Sequence, residues 1–181
     1  MSSIRQSIPT SDISGKAPIG IPATSLDNKV NTHFSFSKFK CQCIRTKEFS
    51  NLYGHITESM TYFSKLIEKL SEFSKMAPSE LKNAGKSTRC HPIKNKSKEL
   101  LYVLLKELGF SQPFLDQQEF FELTLGTSFG RFFGYFVENC FYIVLFDPHH
   151  LLYKDLKFYC KNDIMIKSYD PWNKNLQHNI L

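Results

Sequence analysis

Two apolar runs, Arg131–Val137 (RFFGYFV) and Cys140–Phe146 (CFYIVLF), stand only Glu138 and Asn139 apart. Runs of this length are strand-sized, and a two-residue link between them makes a tight antiparallel hairpin. Apolar side chains occupy both faces of each run, so both strands belong in the interior of a sheet. Phe120–Leu125 (FFELTL) repeats the pattern and predicts a third strand.

Upstream the period changes. From Glu48 to Met76, the residues Phe49, Leu52, Tyr53, Ile56, Met60, Phe63, Ile67, Leu70 and Phe73 recur every three or four positions. This spacing predicts a long amphipathic helix whose apolar stripe covers a sheet or another helix, with Glu58, Lys65, Glu68, Lys69 and Glu72 in water. Ser97–Leu108 predicts a second, largely buried helix that stops at Gly109. His33–Ile44 (HFSFSKFKCQCI) alternates closely enough to predict a first strand.

The expected fold is therefore α+β: a strand, two helices, then an antiparallel sheet of three or more strands with the helices packed on one face. At 181 residues, 41% of them hydrophobic, the chain supports one well-packed core. Residues 1–32 lack periodicity and are expected to form a loosely attached tail, 33–155 the domain, and 156–181 an extension with an added hairpin around Lys161–Asp163.

Charge is unevenly distributed. Of the 23 Lys and Arg, fourteen lie between residues 33 and 108, against seven of the 17 acids. The connection between the two expected helices, LKNAGKSTRCHPIKNKSK, carries Lys82, Lys86, Arg89, Lys94, Lys96 and Lys98 with no acid between Glu80 and Glu99. Such a concentration predicts an anionic partner, most naturally nucleic acid, although solvated lysines also serve solubility alone. Arg89 and His91 are candidates to hold a phosphate or splay a base, and the lysines to make sequence-indifferent phosphate contacts.

Several classes are disfavoured. GKST lacks the earlier glycine and preceding strand of a phosphate-binding loop. Arg131, Glu138 and Asp147 interrupt the most hydrophobic stretch, so no membrane span is expected. Cys41-Gln-Cys43 and Cys90-His91 have the wrong spacing for a zinc site, and neither metal nor cofactor is expected. Five cysteines without CxxC pairs, and no apolar leader, point to a reducing, cytoplasmic setting.

The segment Gly130–Tyr153, GRFFGYFVENCFYIVLFDPHHLLY, in the order strand, helix, helix and three strands, resembles the RelE/ParE superfamily of toxin–antitoxin toxins. The matching positions are Arg131, Gly134, Asn139, Phe141, Tyr142, Asp147, His149 or His150, and Tyr153. The resemblance implies a compact toxin that cuts mRNA, usually on the ribosome, through a concave basic sheet without metal. It also implies a cognate antitoxin, whose extended or helical acidic segment would cover the basic surface. The tail, the long basic connection and the extension depart from that pattern.

Cleaving RNA through its own 2′-OH needs a base, an acid and cations beside phosphorus. Asp147-Pro148-His149-His150 lies where the last core strand exits, and Pro148 ends the ladder there. One of the two histidines is expected to point away from the core and transfer protons. Arg131, across the hairpin, would stabilise phosphate charge, and Tyr153 is a further stacking or acid candidate. In the competing reading Asp147 caps the turn, the histidines bond backbone and Arg131 pairs with Asp147. That leaves a non-catalytic module that binds RNA or protein through the basic connection.

Overall fold

The computed structural model describes residues 30–152 and 164–173. In chain order the elements are β1 (His33–Ser35), α1 (Ile56–Phe73), α2 (Pro78–Asn83), β2 (His91–Pro92), α3 (Asn95–Glu107), α4 (Gln112–Gln117), β3 (Phe120–Gly126), β4 (Gly130–Val137) and β5 (Cys140–Asp147). The fold is α+β, and the five strands form one open sheet in the order β1-β5-β4-β3-β2. β1 runs parallel to β5 and every other pairing is antiparallel, so the sheet is mixed.

The β4–β5 hairpin turns at Glu138 and Asn139 as expected, and both strands are interior. Their two apolar faces require two covers, which corrects the expectation of helices on one face. Tyr62, Leu66 and Phe73 of α1 and Leu81 of α2 pack with Phe121, Leu123, Phe132, Phe141 and Phe146. Leu101, Leu104 and Leu105 of α3 and Leu115 of α4 pack with Phe120, Phe133, Tyr135, Val144 and Leu145. Alternate strand residues thus feed opposite cores.

The register shifts between Phe133 and Gly134 of β4. Backbone and ring crowd Gly134 there: a Cβ would lie 2.2 Å from the Tyr142 carbonyl oxygen and 2.5 Å from the Phe141 ring. Only glycine fits this approach.

The long helix begins later than its periodicity implies. Phe49 and Tyr53 are buried, but their backbone is extended, with Arg45 bridged to Ser50 and Tyr53 to Tyr169. The Thr46 amide donates to the Phe49 carbonyl at 2.8 Å, the Asn51 amide to the Ile44 carbonyl at 3.2 Å and the Tyr53 amide to the Tyr169 carbonyl at 2.9 Å, so these backbone groups are spent before a helix could use them. α1 starts where the His55 ring accepts from the Glu58 amide and Glu58 Oε2 accepts from Gly54 at 2.6 Å. Met60 and Ile67, expected on the buried stripe, are 62% and 68% exposed.

The expected first strand is limited to His33–Ser35, and α2, β2 and α4 arise where only connections were expected. The hairpin expected around Lys161–Asp163 and the candidate Tyr153 lie outside the described residues. Within the extension, Trp172 packs on Phe39 and Phe63, and Lys167 pairs with Glu58. Among the described residues no helix is long and apolar enough to cross a membrane.

Candidate functional site

The end of β5 is built around Asp147, which is fully buried. Its Oδ1 accepts from the Leu151 amide at 2.9 Å and the His149 amide at 3.3 Å, and its Oδ2 accepts from the Leu152 amide at 2.9 Å. Burial raises its pKa against the pull of these amides and of Arg131. Asp147 therefore folds the Pro148–Leu152 turn, as the competing reading anticipated.

That turn commits both histidines, and neither is exposed. His149 is 4% exposed, and its Nε2 donates to the Leu52 carbonyl at 2.7 Å, pinning the segment before α1. Burial lowers its pKa. His150 takes a left-handed φ of 56°, and its Nδ1 lies 3.0 Å from Arg131 Nε. The Gly130 amide points at its Nε2 at 3.1 Å, so donors face both ring nitrogens and none of these contacts calls for a charged ring. Burial first, then the Arg131 charge, depress its pKa to about 4, keeping it a neutral acceptor. The expected outward-pointing imidazole is thus replaced by one buried anchor and one clamp on Arg131.

Arg131 sits opposite Asp147 in the ladder, but its NH1 donates to Glu122 Oε2 at 2.7 Å. Its ion-pair partner is therefore Glu122 of β3, not Asp147. Alternation places Glu122 and Arg131 on the same sheet face as Phe120 and Phe133. Glu122 is 1% exposed, and its Oε1 lies 2.7 Å from Nε2 of His91, its register partner on β2. Burial raises the Glu122 pKa, while Arg131, His91 and Arg89 pull it down. Glu122 is absent from the residues expected from sequence. Its signal was a lone acid inside FFELTL, since a charge in a buried strand needs partners.

The basic connection is pinned to this edge. Thr88 is buried, donating its hydroxyl to the Leu81 carbonyl at 2.7 Å and accepting the Thr124 amide on its own carbonyl at 2.9 Å. With Thr88 and Cys90 buried, Arg89 and His91 between and after them are exposed. Arg89 reaches this position through a left-handed φ of 47°. Lys82 Nζ stands 4.6 Å and 4.7 Å from the ring centroids of Phe121 and Phe136.

A cleft of about 510 Å³ results, lined by Lys82, Lys86, Arg89 and His91 with Glu122 and Arg131. Five residues expected from sequence thus meet in one place. Lys94, Lys96 and Lys98 do not join them. Lys94 precedes α3, Lys96 lines a separate groove with Glu48, Glu99 and Glu107, and Lys98 Nζ lies 5.3 Å from the Tyr102 ring centroid. Among the described residues no three His, Cys, Asp or Glu side chains group as metal ligands. Burial pushes the Cys90 thiol up to about 12, so it is no nucleophile.

The family model described as "Uncharacterised protein UU032" matches residues 35–177, which take in β2 to β5, the last residue of β1, α1 to α4 and the cleft. No curated protein and no solved structure matches.

Proposed function

We propose that this chain, which belongs to the family described as uncharacterised protein UU032, binds RNA by its phosphate backbone in the Lys82–Arg131 cleft and cleaves it there. The observation carrying this reading is the convergence of Lys82, Lys86, Arg89 and Arg131 on a cleft that also holds a paired His91 and Glu122. Four cations around one buried carboxylate leave an excess of positive charge for a phosphate.

Within this reading His91 takes the proton-transfer role expected of His149 or His150. Its Nε2 lies 2.7 Å from Glu122 Oε1, close but not aligned as a hydrogen bond, and the tautomer protonated on Nε2 carries its basic lone pair on Nδ1. That nitrogen would accept the 2′-OH proton as the 2′-oxygen bonds to phosphorus and the P–O5′ bond breaks, the leaving 5′-oxygen taking its proton from water, while Arg131 and Arg89 offset charge building on phosphorus. A toxin of the RelE/ParE type, acting on ribosome-bound mRNA and silenced by an acidic antitoxin seated on this cleft, extends the same reading to the cell.

A second reading, a binding module without chemistry, is favoured by the commitment of both His149 and His150 to intramolecular contacts. RNA binding and cleavage assays on wild type, His91→Asn and the Lys86→Ala/Arg89→Ala pair separate the two. Cleavage lost in His91→Asn with binding retained supports the nuclease. Binding without cleavage in wild type leaves the module, and no binding with the fold intact removes both. Growth arrest on induction in bacteria, relieved by His91→Asn, tests the toxin reading.

A further inference from the structure

We infer that Glu122 is the resident anion of this cleft, holding Arg131 and His91 until a phosphate group enters, and that phosphate binding therefore proceeds with proton uptake on Glu122. The inference rests on the phosphate reading of the cleft and specifies how the site is regulated.

The geometry supplies the reason. One carboxylate oxygen lies 2.7 Å from Arg131 NH1 and the other 2.7 Å from His91 Nε2, so a single carboxylate bridges the two strands that flank β3. A phosphate offers oxygens of the same kind to the same donors. Two anions sharing one set of donors repel, and the one that can neutralise itself by taking a proton does so. A phosphodiester stays ionised at any ordinary pH, which leaves Glu122. Burial already pushes its carboxyl up, in the direction that proton uptake requires, against the pull of Arg131, His91 and Arg89.

Arg131 from β4, His91 from β2 and Arg89 from the connection act directly on Glu122; Lys82 from α2 and Lys86 and Cys90 from the connection line the same cleft, with His150 and Asp147 beside Arg131. The Cys90 thiol is neutral throughout the working range. His91 is the other proton-binding side chain beside Glu122, and the experiment tells the two apart.

The test uses full-length protein and an oligodeoxythymidylate, which carries phosphodiesters but no 2′-OH and so is not cut. Calorimetry in buffers of different ionisation enthalpy counts the protons taken up on binding. The expected result is uptake in wild type, affinity that rises several-fold as pH falls from about 8 to about 5.5, and both effects lost in Glu122→Gln. Glu122→Gln should also bind several-fold tighter at the upper pH, because the competing charge is gone. Uptake that survives in Glu122→Gln assigns the proton to His91 and overturns the inference, as does weaker binding by a folded Glu122→Gln. Absence of any binding by folded wild type instead overturns the cleft reading beneath it. A carboxyl-carbon NMR titration of wild type needs no variant: the Glu122 midpoint should rise when the oligonucleotide is added, and an unchanged midpoint with ligand bound overturns the inference.

Discussion

Arg131 Nε donates to Nδ1 of His150 at 3.0 Å, across the end of the β4–β5 hairpin. The contact favours the neutral state of His150 and sets the direction in which the guanidinium reaches Glu122. It also accounts for the adjacent histidines after Asp-Pro. The turn that Asp147 organises sends His149 to the Leu52 carbonyl and His150 to Arg131.

His150→Ala should remove the acceptor of a nearly buried guanidinium N–H and cost about 1–3 kcal/mol. Urea unfolding measures it, and His150→Asn should recover part of the loss if its amide oxygen reaches Arg131. An alanine variant as stable as wild type would show that Arg131 finds another acceptor.

Stability should fall in acid through the two histidines. Both have folded-state pKa values depressed below 6.5, that of His150 to about 4. Below about 6.5 the unfolded chain takes up protons that the folded chain refuses, so stability is present above that pH and is lost as pH falls toward about 4. Asp147 and Glu122 act with the opposite sign: their raised pKa values favour the folded state as they protonate. Urea midpoints between these pH values should drop in wild type and drop less in His150→Gln.

Gly134→Ala should be among the most damaging single changes. Its Cβ would stand 2.2 Å from the Tyr142 carbonyl oxygen, a backbone atom in a central strand that cannot step aside. Overpacking usually costs about 1–3 kcal/mol, and backbone crowding belongs at or above the upper end. Thermal melting is sufficient to read it.

The lysines of the basic connection should divide into two classes. Lys86→Ala/Arg89→Ala should weaken RNA binding and reduce the salt dependence by roughly 0.7 in slope for each phosphate that is no longer neutralised. Lys96→Ala/Lys98→Ala should change it little, because those residues start α3 and line or border other surfaces. Equal effects from both pairs would mean that charge alone, and not the cleft, attracts the nucleic acid.

Local pattern determined much of this protein. The three strands from Phe120 onward, the turn at Glu138 and Asn139, and the second helix are written in period and turn chemistry, which need only neighbours in sequence. The basic connection is equally plain, because a run of like charge is visible without a fold. Tertiary structure decided the rest. Phe49 and Tyr53 keep helical spacing yet lie outside the helix, because Ile44, Thr46 and Tyr169 take their segment's backbone hydrogen bonds. Two-sided cover of β4 and β5 was implied by their doubly apolar faces, but which helix covers which face depends on chain path. The site shows the division most clearly. Arg131 and the basic residues could be chosen from sequence, but their partner Glu122 is one acid among 17 and acquires its role only when β2, β3 and β4 lie side by side. Charges separated along the chain interact only after the sheet has brought them within hydrogen-bond reach and removed the water between them.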